Sequence, residues 1–377
     1  MSQSSNSPGP IAVIGIRGLP ANYGVIVTCA DEVTRRWVDA GHEVRVYCRS
    51  ARYPERPAEI DGVQLVYTPS LPSKSLDTVS HTFNSIIHLL FTGRRFRCVH
   101  LYNTGNSIFL PLLKLFGKKV VLSGDGIEWK REKWGALAKW VHKTGEKLAV
   151  RLADSIVVDN AEVGRYYAEK FAAETDQIAY GANDIVPDQS YAGPLLQKHG
   201  LEAGRYFLFV GRLAPEKGVH NLIAAYKRLK TDCPLLIIGD DTNGGEYRDS
   251  LFAQASATIL MPGFLYSTDY EQLLVHASMY VSASELEGTS PSLVSAMGAG
   301  VCSLVNGIEE NIATARGAAA TYEKNNTDDL VRYWQQLIDN PDKADVMARA
   351  GKDCVAQYYR WDAIADQYLA VMQRVCA

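Results

Sequence analysis

The chain contains no apolar run near the roughly 20 residues that a membrane-crossing helix requires, so a spanning segment is not expected. Its opening residues, MSQSSNSPGP, are polar and read as a flexible tail rather than a signal peptide. Cysteine is sparse and unpatterned. Cys29, Cys48, Cys98, Cys233, Cys302, Cys354 and Cys376 are odd in number and include no Cys-x-x-Cys pair, which fits reduced thiols in a cytoplasmic protein. Charge has no strong sign either: 39 Lys and Arg stand against 42 Asp and Glu, a net of −3, and this slight acidity argues against nucleic-acid binding. The turn after the first apolar segment lacks Gly-x-Gly-x-x-Gly, which disfavours an NAD-dependent oxidoreductase.

What is present is a repeated grammar of apolar strands and amphipathic helices. IAVIGI from Ile11, a Gly-containing turn, a helix from Val25 to Ala40 and the strand EVRVYC make a β-α-β opening. VQLVY, CVHLY, KVVLS and SIVVD continue it, predicting a parallel sheet covered on both faces. The passage YGANDIVPDQSYAGP breaks the periodicity, after which YFLFVGR, a helix over VHNLIAAYKRLK and PLLIIGD restart it. A chain of 377 residues with this restart is expected to form two α/β, Rossmann-like domains. The predicted division is a tail over 1–10, a first domain over 11–183, a second over 184–357, and a closing segment over 358–377 with an apolar-striped helix.

Three stretches carry candidate chemistry. In ELEGTSPSLVSAMGAG (285–300), Ser290 suits a helix N-cap and Pro291 the first helical position. Backbone N–H groups near Ser292 and Leu293 would then face an anion, with Glu285, Glu287, Gly288 and Thr289 in the turn before them. An ordinary helix start with small packing residues is the alternative. In the second stretch, Gly211, Arg212 and Lys217 lie in a loop at the carboxyl end of a strand, where an open α/β sheet holds its ligand. Two cations there can neutralise a diphosphate as charge develops on a leaving nucleotide. In the third, Asp125 follows KVVLSG and opens a segment with Glu128 and Arg131, all suited to sugar hydroxyls or acid–base work; capping of the next helix is the competing role for Asp125. Asn103, at the end of CVHLY, joins Glu128 and Arg131 as an acceptor contact.

Other features are read as structural. The paired acids after LLIIG, Asp240 and Asp241, suit a helix entrance better than a metal, and His100, His142 and His220 have no second ligand at metal spacing. Residues 130–151 interleave Lys and Arg with Trp134, Trp140 and Leu148. Such a helix either packs with a solvated basic side or lies on an anionic membrane face.

Glu285 to Gly300, together with the Gly211–Lys217 loop, resembles the signature of family 4 retaining glycosyltransferases. The resemblance implies the GT-B fold, two Rossmann-like domains facing a central cleft, with the last helix crossing back to the first domain. It also implies a first, acceptor-binding domain and a second, donor-binding domain. The implied reaction moves a glycosyl group from a nucleotide sugar to a hydroxyl of a saccharide or lipid-linked saccharide, in bacterial polysaccharide or glycoconjugate synthesis, without a metal or other cofactor. Carried over residue by residue, Arg212 and Lys217 hold the diphosphate and Glu287 lies near the transferred sugar. The second family Glu falls on Ser295, which departs from the ribose-gripping carboxylate. The loop from Gly18 through Tyr23 to Gly24 resembles a rhamnosyltransferase-like bacterial branch. That pattern continues with Gly and Glu where this chain has Val25 and Val27. Asp125 takes the place where many members have a His close to the reacting sugar. A catalytically impaired binding protein of this fold and a sugar-nucleotide epimerase are the alternatives.

Overall fold

The computed structural model describes residues 9–21, 24–72, 76–124, 126, 129, 135–241, 244–265 and 267–376, apart from the side chains of 136–138 and 267. It divides into two compact units, one ending at Tyr180 and regaining the chain at Trp361, the other spanning Gly181–Arg360.

The first unit contains strands β1 (Ile11–Ile14), β2 (Val44–Arg49), β3 (Glu59–Ile60), β4 (Val63–Thr68), β5 (Cys98–Tyr102), β6 (Lys119–Gly124), β7 (Ser155–Val158) and β8 (Asp176–Gln177). Its helices are α1 (Val25–Asp39), α2 (Asp77–Thr92), α3 (Leu110–Leu115), α4 (Ala136–Leu152) and α5 (Ala161–Phe171). The sheet runs β3-β4-β2-β1-β5-β6-β7-β8, parallel except for the β3–β4 pair. Alternation along β1 explains its two coverings. Ile11 and Val13 join a core with Trp37 of α1 and Met372 of the last helix, while Ala12 and Ile14 join one with Leu89 of α2 and Leu113 of α3. Both faces are thus buried, which is why these strands read as unbroken apolar runs.

The second unit contains α6 (Gln189–Lys198), β9 (Phe207–Val210), α7 (Val219–Tyr226), β10 (Leu235–Ile238), α8 (Glu246–Phe252), β11 (Ile259–Gly263) and α9 (Ser267–Val275). It continues with β12 (Met279–Ser282), α10 (Pro291–Gly298), β13 (Cys302–Asn306), α11 (Glu309–Ala315), β14 (Ala320–Tyr322), α12 (Thr327–Asp339) and α13 (Pro341–Tyr358). Its parallel sheet runs β11-β10-β9-β12-β13-β14. The last helix, α14 (Trp361–Cys376), packs on α1 in the first unit, where Trp37 Nε1 donates to Ala365 O at 3.0 Å.

Strand order locates the candidate ligand positions. In each sheet the order reverses once, between β1 and β5 in the first unit and between β9 and β12 in the second. Loops leaving the carboxyl ends of such a pair splay apart and leave a crevice for a ligand.

The expectation of seven reduced thiols fails at one pair. Cys98 and Cys376 are 278 residues apart in sequence, but docking of α14 beside β5 brings their Cα atoms to 5.8 Å and the sulfurs are bonded. Nothing in the spacing of the cysteines announces that juxtaposition. Among the described residues no helix is long and apolar enough to cross a membrane.

Candidate active site

The crevice of the second unit gathers the sequence-derived donor residues. The loop after β9 carries Gly211, Arg212 and Lys217, and the loop after β12 carries Glu285, Glu287, Gly288, Thr289 and Ser290. Lys217 Nζ donates to Glu287 Oε1 at 2.6 Å, with only 16% and 10% of the two side chains exposed. Arg212, more open, pairs with Glu216 at 3.2 Å. Glu216 also accepts the Glu285 N–H through its backbone carbonyl at 2.9 Å, tying the two loops together. Gly218 makes this close approach achievable. Its φ is +61°, and a Cβ there would lie 2.2 Å from the Ala283 carbonyl oxygen at the end of β12.

Helix α10 begins as its sequence suggests, with Ser290 at the N-cap and Pro291 first, but the capping role is corrected. The Ser290 side chain makes no bond to the amides of α10; its hydroxyl lies beside the Tyr280 phenol of β12. Burial, followed by the neighbouring Glu287 carboxylate, raises that phenol well above its usual range and keeps it protonated. The first intrahelical bond is Val294 N–H to Ser290 O at 3.0 Å. A helix start leaves the preceding amides, here those of Ser292 and Leu293, without an intrahelical acceptor and positively polarised. Withholding the Ser290 oxygen keeps them available to an anion.

Ser295 lies on the same helix with its hydroxyl beside Tyr270 of α9; burial, against the opposing pull of that hydroxyl, raises the Tyr270 phenol to about 12. The acid pair after β10 is likewise engaged. Arg248 Nη2 donates to Asp240 Oδ2 at 3.0 Å, and the Arg248 hydrogen bond holds the Asp240 carboxyl below its ordinary value. Among the described residues no three His, Cys, Asp or Glu gather as a metal site.

The crevice of the first unit is built differently. Gly15 and Gly18 follow β1, Gly24 caps α1 with φ +95°, and Asn103 follows β5. Gly18 is packed inward: a Cβ would meet Cys48 and Tyr53 at 2.7 Å. Asn103 spends its side-chain oxygen on the Gly105 N–H at 2.8 Å. Val27 is buried in the core with Trp37, whereas Val25 is exposed at the helix start. Between the ends of β5, β6 and β7 lies a small, partly open cavity whose lining includes Tyr102, Ser123, Asp159, Tyr180 and Tyr368. Tyr23, Asp125, Glu128 and Arg131 lie outside the described residues.

Some positioning residues had no sequence signal. Asn306, fully buried at the end of β13, donates to the Ser284 carbonyl at 3.0 Å and braces the 284–290 loop from beneath. Asn221 of α7 donates to Glu285 Oε1 at 3.2 Å. Glu216 was legible, since it sits inside the Arg212–Lys217 motif.

Comparison with known proteins agrees with this architecture. A model described as glycosyl transferases group 1 matches residues 195–353, and one described as a glycosyl transferase 4-like domain matches residues 24–183. The chain is 27% identical over 308 residues to the alpha-maltose-1-phosphate synthase of Mycolicibacterium smegmatis, covering 74% of this chain and 78% of that one. Sucrose-phosphate synthase from Thermosynechococcus elongatus superposes with a TM-score of 0.77 at 17% identity, covering 96% of this chain and 97% of that one. HepE from Anabaena, solved in complex with UDP-glucose, gives 0.74 at 15% identity, covering 96% and 98%. Between them the two family models span most of the chain, and it belongs to the glycosyltransferases of the GT-B fold.

Proposed function

We propose that the chain transfers a glycosyl group from a nucleotide-sugar donor to a hydroxyl of a saccharide or lipid-linked saccharide, with retention at the anomeric carbon. The observation that carries the donor half is the meeting of Arg212, Lys217 and the α10 N-terminus at one crevice of the second unit. Arg212 and Lys217 meet the diphosphate charge, which rises as the nucleotide leaves, so the reaction calls for no metal. The α10 amides take a phosphate oxygen. Lys217 moves from Glu287 toward the diphosphate when donor binds, releasing the carboxylate toward the sugar. The complex of HepE with UDP-glucose supports a nucleotide-sugar donor. Retention, the rhamnosyltransferase-like branch and a place in bacterial polysaccharide or glycoconjugate synthesis rest on the resemblances of the Glu285–Gly300 and Gly18–Gly24 segments. Asp125 is the proposed sugar-positioning residue of the first unit.

A screen of UDP-, GDP- and dTDP-sugars, read as nucleotide released with acceptor present, tests the reading. One donor should release nucleotide and yield a product whose anomeric configuration matches the donor, and Arg212→Ala should lose this activity without losing its fold. Full activity in Arg212→Ala, or no nucleotide bound by calorimetry, would overturn it. Isomerised donor appearing without acceptor would assign the site to an epimerase.

A further inference from the structure

The outer face of α2, α3 and α4 differs in composition from the rest of the chain. Between Asp77 and Asp125 there is no Asp or Glu, but there are six Lys or Arg: Arg94, Arg95, Arg97, Lys114, Lys118 and Lys119. Helix α4 adds Lys139, Lys143, Lys147 and Arg151 at four-residue intervals, which stacks them in one row. Its single carboxylate, Glu146, is buried and paired with Lys170 at 3.1 Å. Glu43 and Asp154 partner Arg95, Lys114 and Lys119, and Lys118 is buried against backbone carbonyls, so the cationic excess of the face rests on Arg94, Arg97 and the α4 row, in a chain whose net charge is −3.

The same face exposes apolar side chains. Of the fourteen large hydrophobic side chains exposed among the described residues, seven lie between Leu71 and Trp140. Phe91 is 77% exposed, Leu115 80%, Phe116 57% and Trp140 63%. The turns that carry them meet: Lys118 Nζ of the turn after α3 donates to the Phe96 carbonyl of the turn after α2 at 2.8 Å. Helices α3 and α4 pack against each other on the same side of the sheet. Aromatic and aliphatic groups in water, set among Lys and Arg, are a costly arrangement for a free surface. They are what an interfacial element presents to lipid, the rings entering the headgroup boundary and the cations meeting anionic headgroups.

We infer that the α2–α3–α4 face docks the first unit on an anionic membrane surface. This enlarges the expectation for residues 130–151 alone, because the contact joins three helices and its apolar anchors sit mainly on α2 and α3. Charge complementarity selects lipid of negative headgroup charge. Each Lys or Arg at such a surface is worth about fivefold in partitioning, an attraction screened by salt.

Co-sedimentation of the full chain with phosphatidylcholine vesicles, with and without about a third phosphatidylglycerol, tests the inference. The chain should pellet with the anionic vesicles, stay in solution with the neutral ones, and be released as salt rises from about 0.1 M to about 0.5 M. Lys143→Glu with Lys147→Glu should weaken pelleting at least tenfold. Phe91→Ser with Leu115→Ser, at positions too exposed to support the core, should weaken it with thermal unfolding unchanged. Absence of pelleting with anionic vesicles, or undiminished pelleting of both double variants, would overturn it. So would concentration-dependent dimerisation without vesicles that the Phe91→Ser, Leu115→Ser variant abolishes, since a second copy would then own the face. No transferase assay enters, so failure here leaves the donor site untouched.

Discussion

The two units share one parallel-sheet plan, and each has a single point where strand order reverses, yet the two crevices carry different side chains. At β9 and β12 the loops present two cations, three carboxylates and a helix start whose cap side chain makes no bond to it. At β1 and β5 the described residues include Gly15, Arg17, Gly18, an Asn locked in its own turn, and a small cavity with three tyrosines in its lining. Topology supplies the location in both cases, and only the loop residues decide what the location can bind. A diphosphate needs positive charge, and the proposal draws it from Arg212 and Lys217 at the second crevice.

The sharpest way to break that contrast is to remove the charge. Lys217→Ala should lower kcat about a hundredfold or more, the scale set by losing one donor to a developing charge. Because Glu287 is then left partly buried without its partner, thermal stability should fall as well, and Lys217→Ala combined with Glu287→Ala should recover stability but not turnover. Ser123→Ala, beside the first crevice, should leave nucleotide affinity by calorimetry unchanged. Equal losses of affinity in the Lys217→Ala and Ser123→Ala variants would dissolve the distinction between the crevices.

Acid should separate the units next. In the first unit, burial lowers His100 to about 3, and burial followed by the Arg49 charge lowers His81 to about 4, against an ordinary 6.5. An unfolded chain binds protons below 6.5 that these folded imidazoles refuse. The stability they permit is therefore complete above 6.5 and declines as pH falls toward their folded values. The loss should reach roughly 2 kcal/mol for each histidine by pH 5. In the second unit His199 is also lowered by burial, but it is only half-buried. Hydrogen exchange at pH 7 and pH 5 should show β5 and β6 losing protection faster than β9 and β12. Parallel losses would count against it.

Much of this contrast was legible in the sequence, because apolar runs ending in Gly-containing loops mark both the strands and their carboxyl ends. Arg212, Lys217, Glu285 and Glu287 could be found for the same reason: cations and acids in such loops have no role in a buried sheet. What stayed hidden depends on distant packing. Asn306 beneath the 284–290 loop, the Ser290 hydroxyl beside Tyr280, and the Cys98–Cys376 bond each join segments brought together only by the finished fold. The outer face of α2 to α4 was half visible: the basic row of α4 could be counted, but the exposure of Phe91, Leu115 and Phe116 could not.

Two glycines at loop-to-helix junctions sharpen the contrast further. Gly218 and Gly24 both have positive φ, but a Cβ at Gly218 strikes the Ala283 carbonyl, whereas one at Gly24 meets nothing within 4 Å. Gly218→Ala should therefore cost about 3 kcal/mol, and Gly24→Ala about 1 kcal/mol, in denaturant unfolding. Equal costs would mean that backbone conformation alone, and not the pressing together of the two loops, sets the requirement at Gly218.

The smallest effect concerns Ser295, where the resembled family has a carboxylate. Its hydroxyl lies beside the Tyr270 phenol of α9, a polar contact between two helices of the second unit. A polar contact of this kind contributes up to about 1 kcal/mol. Ser295→Ala and Tyr270→Phe should each cost about that much, while the double variant should cost little more than either, a coupling visible in a double-mutant cycle. If nucleotide affinity follows the same non-additive pattern, the Ser295–Tyr270 contact shapes the donor site in place of the missing carboxylate. If stability is coupled and affinity is indifferent, Ser295 belongs to the scaffold and the ribose contact falls to another residue of the second crevice.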